Sequence, residues 1–117
     1  MLKISDFSKL TRVSVRMLRY YDSQGLLKPS KTDPENGYRM YGAEQVPELQ
    51  KIILLRDLGF SVAQIRDLLQ HWDDAYLTDQ FKLKITEIES QIAASKQQIT
   101  RLQSAIGIQI PLICLNE

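Results

Sequence analysis

Arginines and hydroxyl-bearing side chains recur at helical spacing in ISDFSKLTRVSVRMLRYYDS, from Ile4 to Ser23. Successive residues on a helix stand about 100° apart. In a helix opened by Ser14, this gathers Arg16, Arg19, Tyr20 and Ser23 on one side and Val15, Met17, Leu18 and Tyr21 on the other. One face packs, and the other offers positive charge, hydroxyls and a ring. Such a face suits contact with phosphate oxygens and base edges. Arg16 projects from the amino-terminal turn, the part of a recognition helix that meets base edges, and is therefore the first candidate for reading sequence. Other chemistry lacks its residues: His71 and Cys114 are the single histidine and cysteine. No Gly-rich phosphate loop or triad-like pairing accompanies them, so an enzyme finds almost no support. One thiol and one distant histidine are also too few for a closed metal site in one chain, and no metal or other cofactor is expected.

The elements that must position the cationic face can be read around it. Ser14 is a helix N-cap by type, and Gly25 suits the left-handed conformation beyond a helix end. Before the turn, Ile4, Phe7 and Leu10 form an apolar stripe, and Val13 plugs the turn itself. Two short helices at a tight turn, the second basic outside, have the helix-turn-helix form that enters a major groove. A solvated face on an ordinary helical hairpin has the same pattern.

Beyond Gly25, Leu26 and Leu27 close the core, while Pro29 and Pro34 exclude further helix. Asn36-Gly37 signals a hairpin with a two-residue turn, both central residues at positive φ. Lys28, Lys31 and Arg39 give this wing a positive rim, although a solvated loop would read similarly. A third helix spans Ala43–Leu58. A fourth opens with capping-box spacing at Ser61 and Gln64, after Phe60 as a hydrophobic staple onto Ile65. His71–Leu77 reads as a linker, with Trp72 as a packing residue.

A long helix is expected from Thr78, as N-cap, to about Ile106, with Gly107 as C-cap. Phe81, Ile85, Ile88, Ile92, Ile99, Leu102 and Ile106 step by four and three, a heptad seam with Ser95 in the remaining place. So narrow a seam needs a partner helix, most simply that of a second copy. The apolar run after Gly107 is expected to dock on its own chain or on the partner.

Charge is distributed unevenly. Residues 1–41 carry eight Lys/Arg against four Asp/Glu, and residues 42–117 carry seven against ten. A basic front half suits phosphate contact. A chain with 25% charged and 44% apolar residues is ordinary for a globular protein. No apolar run reaches the roughly 20 residues needed to span a bilayer, which places the expected location in the cytosol. A dimeric adaptor using the coiled coil to bind other proteins is a second function class; two basic surfaces, helix and wing, favour DNA.

Three motifs in order, VSVRMLRYYDSQGLLKP, ENGYRMY and LLRDLGFSVAQIRDLL, resemble those of the mercury-resistance-regulator (MerR) family of bacterial transcription factors. With the dimer helix, the likeness covers nearly the whole chain. It implies a mostly α fold: a winged helix-turn-helix domain over residues 1–70, the linker 71–77, a coiled-coil dimerisation helix over 78–107 and a tail over 108–117. It also implies a homodimer, with paired antiparallel helices, on a palindromic operator between promoter elements set too far apart. The bound protein distorts that DNA so that RNA polymerase engages both elements. By resemblance, DNA contacts fall on Ser14, Arg16, Arg19 and Tyr20, and on Tyr38 and Arg39 of the wing. Met17 and Met40 depart from the pattern as tolerable packing changes. The finer similarity is to members with a carboxy-terminal effector domain of the gyrase-inhibitor type. These 117 residues show none beyond the dimer helix; either such a domain lies outside them or the protein works without one. The 117-residue form is expected to bind its operator without an inducer and to respond to neither thiophilic metals nor lipophilic cations.

Overall fold

The computed structural model describes residues 1–116, with side chains through residue 107. Two compact units divide the chain, the first ending at Trp72 and the second beginning at Asp73. In the first unit, α1 (Ile4–Thr11) and α2 (Val15–Ser23) form the helix pair. Phe7, Val13, Leu18 and Tyr21 are buried between and beneath them. Leu10, expected in the stripe, is instead 60% exposed. Ile4, Phe7, Ser8 and Thr11 turn inward together, and Leu10 lies about 100° away from their common direction. The Ser8 hydroxyl donates to the Val13 carbonyl (2.6 Å) and that of Thr11 to the Phe7 carbonyl (2.8 Å), so polar side chains occupy the space assigned to Leu10.

Arg12, in the turn, holds a left-handed backbone with φ 60°. A side chain there costs roughly 1–2 kcal/mol that glycine avoids, partly offset by glycine's larger loss of freedom on folding. Arg12→Gly is therefore expected to raise stability by about 0.5–1 kcal/mol, visible as a higher thermal midpoint; a lower midpoint would contradict this strain.

The wing is part of a three-stranded antiparallel sheet in the order β1 (Leu2–Lys3), β3 (Arg39–Tyr41), β2 (Lys31–Thr32). Leu2 pairs with Tyr41 and Lys3 with Met40, while Lys31 pairs with Met40 and Thr32 with Arg39. The amino-terminal strand leaves no trace in the sequence pattern, because two residues are too short for any alternation to show. The expected two-residue turn is also corrected: only Gly37, at φ 70°, is left-handed in this loop. Asp33 N–H donates to the Tyr38 carbonyl and Gly37 N–H to the Asp33 carbonyl, which leaves Pro34–Gly37 as a four-residue loop. The Asp33 carboxylate accepts from Glu35 N–H (2.9 Å), and Pro34 presets the first bend, a combination that favours the longer turn. Tyr41 stacks on Phe7, with centroids 4.7 Å apart and rings 11° from parallel, anchoring the sheet to α1.

Behind this layer, α3 (Gln45–Asp57) buries Leu49, Ile52 and Leu55, and α4 (Val62–Gln70) buries Ile65 and Leu68. The capping box of Ser61 and Gln64 forms on both sides, and Phe60 is buried as expected of a staple. In the second unit, α5 runs Asp74–Asn116. It starts four residues before the expected Thr78, because the Asp73 carboxylate accepts from Tyr76 N–H (3.0 Å) and caps the helix earlier. It also passes through Gly107, where glycine costs a helix only about 1 kcal/mol. The expected docking of the apolar run concerns side chains outside the described residues.

Candidate nucleic-acid interface

The basic helix is held from behind so that its other side stays in solvent. Ser14 caps α2 by accepting from Met17 N–H (3.0 Å), and Leu18 and Tyr21 anchor it in the core. Arg56 of α3 donates to the Tyr21 hydroxyl (3.1 Å), and Arg66 of α4 donates to the Gln24 carbonyl at the end of α2. The adjacent Asp57 carboxylate, assisted by the Tyr21 hydroxyl, raises the pKa of Arg56 further. With that face fixed inward, Ser14, Arg16, Arg19, Tyr20 and Ser23 are all exposed.

The wing is tied to the same helix by charge. Asp22, near the end of α2, lies 3.0 Å from Arg39 Nε and 3.9 Å from Lys28 Nζ. A guanidinium has five N–H donors, so Arg39 keeps others for a second acceptor after meeting Asp22. Tyr38 is exposed, and Lys3 Nζ sits 4.8 Å from its ring centroid. The Tyr41 hydroxyl is buried without a hydrogen-bond partner among the described residues, and its pKa is raised chiefly by burial. It remains neutral and serves packing.

The six expected contact residues border two hollows alongside α2. Ser14, Arg16 and Tyr20, with Met17, line one of about 420 Å³. Arg19, Tyr38 and Arg39 line another of about 360 Å³, together with Lys3 and Ser5. Among the described residues Arg16, Arg19 and Lys3 have no ion-pair partner, so this side of the molecule keeps uncompensated positive charge. The sequence alone missed Lys3 and Asp22. Both act across the sheet or between helix and wing, where no local spacing announces a contact.

On α5, Ile85, Ile88, Ile92, Ile99, Leu102 and Ile106 are each at least 40% exposed. No group of three or more His, Cys, Asp or Glu is brought together among the described residues, which exclude the Cys114 side chain. No helix of the described residues is long and apolar enough to cross a membrane. Trp72, exposed by just over a third, carries Lys51 Nζ 4.8 Å from its ring centroid.

Comparison with known proteins follows the same pattern. Residues 2–72 match the profile of the MerR HTH family of regulatory proteins, and residues 46–105 match one described as MerR, DNA binding. Heavy metal-dependent transcription regulator 2 of Rhizobium meliloti (strain 1021) is 37% identical over 111 residues, covering 91% of this chain and 75% of the relative. Among solved structures, EcmrR in a DNA complex within EcmrR-RPo superposes with a TM-score of 0.77 at 31% identity, over 92% of this chain and 39% of that one. The N-terminal part of the Bacillus subtilis multidrug transporter activator, MtaN, gives 0.71 at 26% identity, over 86% of this chain and 96% of that one.

Proposed function

Because the chain belongs to the MerR family of helix-turn-helix regulatory proteins, a family of DNA-binding transcriptional regulators and not of enzymes, we propose that it acts as a homodimer on an inverted-repeat promoter operator in the bacterial cytoplasm. Each protomer lays α2 in the major groove and rests its wing on the flanking backbone. Arg16 reads a base edge, Ser14, Arg19 and Tyr20 complete the groove contacts, and Tyr38 and Arg39 meet phosphates. The single observation that carries this reading is the uncompensated cationic face of α2, set beside a wing held in place by the Asp22–Arg39 ion pair. Pairing of the α5 seams from two copies covers the exposed isoleucines and links the two recognition helices. The bound dimer distorts the promoter so that RNA polymerase engages it; EcmrR, the relative described above, is seen in an RNA polymerase open complex.

Selection of genomic fragments by the purified chain, followed by sequencing, tests this reading. The expected result is an enriched inverted repeat whose half-sites recur at about one helical turn or a multiple of it. A bound pool with no enriched sequence would contradict it.

A further inference from the structure

The hollow between the amino terminus and the wing adds a cation, Lys3, to which the helix and wing contacts assign no role. Its volume is about 360 Å³, and Lys3, Arg19 and Arg39 all border it, with the hydroxyl-bearing Ser5 and Tyr38. No carboxylate lines it; Asp22 reaches Arg39 from a neighbouring hollow and leaves Lys3 and Arg19 unpaired among the described residues. Three like charges around one concavity repel one another. A concave wall of one sign also focuses potential and concentrates counter-ions. Lys3 is directed there by its fold position, because β1 pairs it with Met40 and its ammonium lies over the Tyr38 ring. A lysine ammonium and two guanidinium forks with nearby hydroxyls form a donor set for a phosphate oxyanion.

The geometry points to a DNA phosphodiester seat in this hollow, with Lys3 as a binding residue that extends the footprint from helix and wing to the amino-terminal strand. The inference rests on the DNA-binding reading proposed above. A contact of this kind positions the protein without reading sequence, so its signature is electrostatic. Each phosphate contact contributes about 0.9 to the slope of log affinity against log salt, and a dimer contains two such seats.

The test uses the full chain, with Lys3→Gln, Lys3→Arg and, as control, Lys9→Gln on exposed α1 outside the hollow. Each is titrated at several salt concentrations against the genomic duplex enriched by the wild type and against a scrambled duplex. Lys3→Gln is expected to lower the slope by about two and weaken both duplexes by the same factor. Lys3→Arg should restore the slope, and Lys9→Gln should leave it unchanged. Methylphosphonate at the contacted phosphate should weaken the wild type more than Lys3→Gln, in which only Arg19 and Arg39 still face that phosphate. If Lys3 only steadies the wing through Tyr38, Lys3→Gln lowers the thermal midpoint but keeps the wild-type slope, and the inference is overturned. An equal loss in Lys9→Gln also overturns it, as a general charge effect. Should the wild type bind neither duplex, the proposed function fails and this seat with it; wild-type binding with an unaltered Lys3→Gln slope removes only the seat.

Discussion

The double variant Ile88→Asp/Ile99→Asp is expected to sediment as a monomer and to lose most of its affinity for the operator. Both side chains stand on the exposed stripe of α5, 40% and 53% accessible in the single chain. Six apolar residues, stepping by three and four except across Ser95, make the seam proposed to pair with a second copy. In the paired state the two substitutions place four carboxylates in that seam, with no cation supplied by the neighbouring seam positions. Burying an unpaired charge costs several kcal/mol or forces the group to protonate, more than the stripe gains from its remaining isoleucines. Loss of the dimer then removes the linkage between two recognition helices, and with it the high effective concentration of the second for its half-site. Velocity sedimentation with operator titration checks both steps. A double variant that still sediments as a dimer would show that this seam is not the interface.

The second large effect concerns Arg16. It is exposed on the amino-terminal turn of α2, has no ion-pair partner among the described residues, and borders the hollow shared with Ser14 and Tyr20. A guanidinium bidentate to guanine is worth about 1–3 kcal/mol of discrimination. With two half-sites too far apart to couple, Arg16→Ala should cost the dimer about 2–6 kcal/mol on its operator and much less on unrelated DNA. Arg39 behaves differently because it already meets Asp22 and lies on the wing. Its removal should weaken all sequences alike through lost phosphate contact, and Asp22 then retains only the longer approach of Lys28.

What the sequence disclosed follows from how local each cause is. The cap at Ser14, the left-handed glycine at 25 and the capping box of Ser61 with Gln64 depend on residues within four positions of one another, and all three formed as read. The cationic face of α2 was legible because a helical wheel needs only its own residues. Leu10 failed because Ser8 and Thr11 satisfied the turn, a competition among side chains that apolar spacing does not record. The wing loop is two residues longer than Asn-Gly alone implies, because Asp33 and Pro34 before it favour the wider turn. Asp73 outcompeted Thr78 as a cap, and Gly107 did not halt a helix already formed on both sides of it. The electrostatic parts of the site were the least legible. Lys3 meets Tyr38, and Asp22 meets Arg39, only after the sheet and the helix pair have folded against each other.

The central claim is that α2 reads sequence while the wing holds the backbone. Its most direct test is the ratio of affinities for the selected operator and a scrambled duplex, measured at one salt concentration for the wild type, Arg16→Ala and Arg39→Ala. Arg16→Ala is expected to lose most of this ratio, whereas Arg39→Ala binds both duplexes more weakly and keeps it. Unchanged affinity in both variants would contradict the assignment of this face to DNA.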